Sequence, residues 1–190
     1  MAIDQYSDLT GRLLIAMPSM ADPRFSHSVV FICAHNKDGA MGLIVNKFLG
    51  FMKLSEILDS DESSEEPNNH RLPLHFGGPV ERKRGFVLHS SDYCAEDVTL
   101  KVTDAFSMTA SLHVLEEINQ GKGPELALLA MGYSGWGPGQ LEEEILDNSW
   151  LVADPTSSLM FVEEDDQKWA QALKQLGVDP HMLSGSAGRA

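Results

Sequence analysis

The sequence predicts an α+β fold, and three observations carry that expectation. Short apolar, β-branched runs dominate the first third of the chain. Helical periodicity is concentrated in the second half. Nowhere do strands and helices alternate regularly, as a doubly wound sheet would require.

Element by element, Leu13 to Met17 is a short apolar run ended by Pro18. Ser28 to Ala34 is a continuous β-branched and apolar run, which predicts a strand buried on both faces. Asn36-Lys37-Asp38-Gly39 is a turn signal, and Met41 to Asn46 reads as the partner strand of a hairpin. Leu54 to Leu58 is a single amphipathic turn of helix. Strands are expected again at Leu72–Phe76, Gly85–Ser90 and Val98–Val102, with Arg82-Lys83-Arg84 on an exposed turn before the second.

In the second half, Leu112, Leu115 and Ile118 share a helical face between Ser111, an N-cap, and Gly121 at C′. Glu125 to Met131 reads as a strand. A helix is expected from Pro138 to about Asp147, with Leu141 and Ile145 inward. Leu159 to Val162 reads as a strand. Asp165 then caps a last helix with Trp169, Ala172, Leu173 and Leu176 inward, stopped by Gly177.

The 190 residues are expected to form one domain, 1–190. Two segments are expected to be flexible: an acidic loop at about 59–70 and a Ser/Gly-rich tail at about 184–190. The formal charge is −14, from 28 acids against 14 Lys and Arg, and residues 101–190 alone hold five basic and fourteen acidic side chains. Such a balance opposes binding to a phosphate backbone, which depends on Lys and Arg releasing counterions. The longest apolar stretch near the N-terminus, Leu13 to Met17, is far short of the ~20 residues that span a bilayer. No basic segment precedes it, so a cytoplasmic protein without a membrane partner is expected.

Chemical motifs are sparse. No pair among His27, His35, His70, His75, His89, His113 and His181 has the spacing that sets two imidazoles on one helical face, and neither Cys33 nor Cys94 has a CxxC partner. No metal and no cofactor is expected. His35, His75 and His89 fall at strand ends, either meeting in space or separately satisfied at a sheet rim. Cys33 reads as a buried, inert thiol, and Cys94 as an exposed one whose acidic neighbours disfavour the thiolate.

Gly132-Tyr133-Ser134-Gly135-Trp136-Gly137-Pro138-Gly139-Gln140 holds four glycines in eight residues between an expected strand and an expected helix. One reading is a nucleophile elbow at Ser134, although Trp136 stands where GxSxG requires glycine. A second is a cradle in which free helix amides hold a carboxylate or phosphate and Trp136 supplies a stacking face. A third is a tight turn with Trp136 filling core space. If the Gly-rich turns converge, Asn46, Gly78, Trp136 and Gln140 form a shared ligand surface for a protein or small-molecule partner. The alternative is a small hydrolase-type or thiol-dependent enzyme using the Tyr133–Gln140 loop.

Several blocks together resemble the AlgH/YqgE family of bacterial proteins. They are Leu14 to Phe25, Cys33 to Asn36 with Gly39 to Asn46, Gly77 to Val80, Gly85 to His89, and Gly132 to Glu142. They run in family order over nearly the whole chain. Ala34 departs from the pattern, which has Glu there, and the acidic stretch after Leu58 is expanded. The resemblance implies an α+β fold with a small β-barrel core and further sheet, surrounded by helices. It also implies a label, transcriptional regulator, that brings no agreed activity or catalytic residue.

Overall fold

The computed structural model describes residues 8–58, 70–180 and 183. The expected acidic loop, apart from His70, and the expected tail lie outside the described residues, as does His181. Among the described residues ten strands form one sheet: β1 (Leu13–Ala16), β2 (Val29–Asn36), β3 (Gly39–Ile44), β4 (Phe48–Lys53), β5 (Arg71–Phe76), β6 (Val80–Ser90), β7 (Thr99–Lys101), β8 (Phe106–Thr109), β9 (Ala127–Trp136) and β10 (Trp150–Ala153). Its main path is β10-β1-β2-β3-β9-β6-β8-β7, with β4 joined through β5 to β9. The sheet curls into a half-barrel flanked by helices α1 (Leu54–Ile57), α2 (Leu112–Asn119), α3 (Gln140–Leu146) and α4 (Asp165–Gln175). The class is therefore α+β, and the barrel-like core is a half-barrel.

The central strands form because both of their faces are apolar. Along β1 and β2, alternate side chains enter two different cores: Leu13, Ile15, Val29, Phe31 and Cys33 line the inside of the curl, while Leu14, Ala16, Val30 and Ile32 face α3. All of them are buried. At ~25 cal/mol per Å² of apolar surface removed from water, each large side chain contributes about 1.5–3 kcal/mol, so slipping either strand by one residue is strongly opposed. The β2–β3 hairpin closes at Asn36↔Gly39, where the turn was expected.

Strand β9 has three partners. Its first half pairs β5 in parallel (Leu74↔Leu129 to Phe76↔Met131), and its last residues pair β3 (Gly42↔Ser134 to Ala40↔Trp136). Along the opposite edge it pairs β6. The exchange of β5 for β3 occurs around Gly132, at φ +72°. There the Gly77-Gly78 segment crosses β9 so closely that a Cβ on Gly78 would lie 2.1 Å from the Tyr133 carbonyl carbon, and one on Gly132 would lie 2.4 Å from the Gly78 oxygen. Only glycine fits that crossing.

The structure corrects several expectations. Gly132 to Trp136 is not a turn but the second half of β9, held as strand by pairing on both edges. Arg82-Lys83-Arg84 lies within β6, in the bulged stretch between Val80 and Gly85, although it is exposed as expected. Leu159 to Val162 belongs to a π-helical turn, Ser158–Val162: the Glu163 amide donates to the Ser158 carbonyl, burying Leu159 and Met160 and leaving Val162 outside. In α2 the buried pair is Val114 and Leu115, while Leu112 points to solvent; the Ser111 hydroxyl caps as expected, accepting from the His113 amide. Helix α3 starts at Gln140 after left-handed Gly139, so Pro138 lies outside it. In α4 the N-cap is Glu164, Leu176 is partly exposed, and Lys168 is buried beside Ala172 and Leu173. Strands β4, β8 and β10 have no counterpart in the sequence reading.

Candidate functional site

One mouth of the half-barrel opens into a cleft of about 670 Å³. It lies between the tip of the β2–β3 hairpin, the bulge of β6, the end of β8 and the end of β9. Its floor is apolar: Met41, Phe86, Met108 and Tyr133, with Phe86 and Tyr133 edge to face at 5.9 Å between centroids. Ala34 lines it too. The lip is polar and carries Asn36, Asp38, Glu81 and Arg84. Arg84 stacks its guanidinium 5.1 Å above the Phe86 ring, and its Nη1 donates to Glu81 Oε2 at 3.2 Å. Glu81 is held at φ +46°, a left-handed conformation that a non-glycine residue rarely keeps and that recurs at binding sites.

Trp136 and Gln140 are brought together beside α3, but of the two only Trp136 is a lining residue of the cleft. Glu144, on α3, receives both: Trp136 Nε1 donates to its Oε2 at 2.9 Å, and Gln140 Nε2 donates to its Oε1 at 2.9 Å. Trp150 Nε1 donates to the same Oε2 at 2.8 Å. The Gly137 amide donates to Gln140 Oε1. Trp136 is almost wholly buried, its indole packed with Leu141, Ile145 and Trp150 in the core beneath α3, so it offers no open stacking face. Gly78 lies next to the cleft by its crossing over Tyr133. Asn46 is elsewhere engaged: its Oδ1 accepts from the Val29 amide and its Nδ2 donates to the His27 carbonyl, both at 2.8 Å, which pins the start of β2. It does not line the cleft.

Ser134 is buried within β9 and its hydroxyl donates to the Gly77 carbonyl at 3.2 Å. That is a strand-to-loop tie, without the exposed position of a nucleophile elbow. Burial pushes the Cys33 thiol up to about 12, far from thiolate formation at neutral pH. Cys94 is exposed.

The three strand-end histidines are separately partnered. His35 Nδ1 accepts from the Leu9 amide at 3.0 Å, which leaves its Nε2 to donate to Glu142 Oε1 at 3.0 Å. His89 contacts the Thr109 hydroxyl and the Ser90 carbonyl. His75 Nε2 donates to Asp165 Oδ1 at 3.0 Å, and the same oxygen accepts from Lys168 Nζ at 2.8 Å. Burial raises the Asp165 carboxyl, but the hydrogen bonds from His75 and Lys168 outweigh it and hold the group below its ordinary value. Among the described residues no group of three or more His, Cys, Asp or Glu is arranged to hold a metal ion. Nor is any helix long and apolar enough to cross a membrane.

The sequence reading missed the cluster of His75, Asp165 and Lys168. A signal was present: Asp165, Lys168 and Ala172 are spaced i, i+3, i+7, the spacing of one helical face, and that face also carries the buried Leu173.

Comparison with known proteins bears on the whole chain. The model of the AlgH-like family matches residues 13–181. A UPF0301 protein of Ruegeria pomeroyi is 56% identical over 185 residues, spanning 96% of this chain and 100% of its own. A UPF0301 protein of Cereibacter sphaeroides is 51% identical over 183 residues, with the same coverage. The solution structure of the AlgH protein from Pseudomonas aeruginosa superposes with a TM-score of 0.76 at 36% identity, covering 100% of both chains. A crystal structure of a Corynebacterium diphtheriae protein, at 21% identity, shares the fold with a TM-score of 0.68 over 87% of this chain and 85% of that one.

Proposed function

The chain belongs to the AlgH-like family, and we propose that it acts as a regulatory binding protein whose barrel-mouth cleft takes a ligand with an apolar body and a polar end. One observation carries this reading: an open cleft of about 670 Å³ with an apolar floor, a hydrogen-bonding lip and a strained residue, Glu81, held at its edge. The volume is that of sites for small organic ligands. Nothing in the cleft pairs a nucleophile with a base, which supports binding over catalysis. The charge of −14 supports regulation through a small molecule or another protein in preference to contact with a duplex.

The test is titration with an environment-sensitive apolar dye, anilinonaphthalene sulfonate, against the folded protein. Ala110→Trp adds bulk at an exposed position of the cleft and should weaken dye binding at least about tenfold, the order of ~1.4 kcal/mol. Equal dye affinity in the variant and the parent would sink the proposal.

A further inference from the structure

A second, smaller pit of about 60 Å³ opens on a different part of the surface and shares no lining residue with the cleft. His75, Asp165, Lys168 and Glu163 line it together with Pro73 and Phe161. Beside it Phe48 and Phe51 are exposed and stack edge to face at 5.1 Å, with Phe48 5.9 Å from the His75 ring.

Counting donors and acceptors shows what the pit lacks. The Lys168 ammonium has three N–H donors and spends them on Val45 O, Met160 O and Asp165 Oδ1. The proton of the neutral His75 ring sits on Nε2, because Asp165 only accepts. Its Nδ1 is therefore an acceptor, and that atom is buried and has no hydrogen-bond partner. The second oxygen of Asp165 and the carboxylate of Glu163, which receives only the Ser158 hydroxyl at 3.3 Å, are acceptors too. Everything left over accepts and nothing donates. The charges sum to one negative, with two carboxylates against one ammonium. Buried polar atoms in folded proteins are nearly always paired, so an orphaned acceptor on a residue that lines the pit points to a missing donor.

We propose that this pit is a binding site for a small aliphatic amine, its protonated head seated among Glu163, Asp165 and His75. A primary ammonium supplies both the donors and the compensating positive charge. The pit is large enough for a small polar head group. It holds the head and its first methylene, and the rest of the stem lies over Phe48 and Phe51. The acidic surface raises the local concentration of such cations. This site stands independently of the cleft and of the function proposed for it.

The experiment is a titration of the full-length, ¹⁵N-labelled protein with n-butylamine at about pH 8, where the amine is protonated. The amides of Glu163, Asp165 and Lys168 are followed, with the ring nitrogens of His75. Saturable shifts are expected in all of them. They should weaken at least about tenfold in Glu163→Gln, which retains the shape of a half-exposed side chain. In His75→Phe the amide shifts should likewise weaken at least about tenfold. If that variant does not fold, Glu163→Gln decides alone. Tetramethylammonium, a cation without N–H donors, and n-butanol, a donor without charge, are the controls and should fail to saturate. The proposal is overturned if butylamine produces no saturable shift, if either control matches it, or if Glu163→Gln binds as the parent does.

Discussion

Lys168 Nζ donates to the carbonyl oxygen of Val45 at 2.9 Å, joining residues 123 positions apart in the chain. The ammonium is buried and also holds Met160 O and Asp165, so one side chain ties α4 to the end of β3 and to the π-helical turn. Lys168→Met should cost about 3–5 kcal/mol in urea unfolding, because it strands a carboxylate and two carbonyls. The double variant Lys168→Met, Asp165→Asn should cost less than the sum of the two single changes. Strict additivity would show that the pair is not coupled.

Glu144 carries a different kind of tie, since its Oε2 accepts from two indoles, Trp136 and Trp150. Glu144→Ala leaves both N–H groups without that acceptor and should destabilise the protein by about 1–3 kcal/mol, with altered near-ultraviolet circular dichroism from the loosened rings. An unchanged tryptophan spectrum in this variant would mean that packing alone orients them.

The glycine crossing makes a sharp contrast between two substitutions. Gly78→Ala drives a methyl into the Tyr133 backbone and belongs to the rare class costing more than about 4 kcal/mol, so little soluble protein is expected. Gly50→Ala also sits at positive φ, but with nothing within 4 Å of the added methyl, and should cost no more than about 1–3 kcal/mol of backbone strain. Comparing the soluble yields of the two variants, with a thermal melt of Gly50→Ala, separates steric crowding from backbone preference.

His89 sets a dependence on pH. Burial holds its ring below the ordinary value of 6.5, against the opposing pull of the Ser90 carbonyl and Asp92. The unfolded chain therefore binds a proton that the folded chain refuses. Its contribution is complete above 6.5 and declines as pH falls through the folded value. His89→Gln keeps a donor and an acceptor and should flatten the fall in unfolding free energy between about pH 7 and 5. A variant as steep as the parent would place the dependence on another residue.

The strands most legible in the sequence are those whose pattern is unambiguous. The run through Val29 and Cys33 has apolar side chains on both faces, and only a doubly covered strand uses such a run. The hairpin at Asn36 to Gly39 and the cap at Ser111 follow from local chemistry. Strand β8 is illegible because two of its four buried residues, Ser107 and Thr109, are polar; Thr109 is satisfied by His89 and Thr99, partners that sequence spacing does not reveal. The run from Leu159 misleads because four apolar residues suit a strand or a helical turn equally well. Of the expected site residues, Trp136 and Gln140 meet because the chain folds back at Gly139. Asn46 is drawn away by the backbone of His27 and Val29. The cluster of His75, Asp165 and Lys168 depends on a contact spanning ninety residues, which no local pattern encodes.

The three partners of β9 also set the order in which this protein can be made. During synthesis β3, β5 and β6 emerge early, yet each has an edge that only residues 127–136 can cover. The first strand, β1, waits longer still, for Trp150 to Ala153. A nascent chain thus carries several open edges past the ribosome before its sheet can be completed. Until then those edges stay unpaired, and the folding rate is governed by distant pairings more than by local helices.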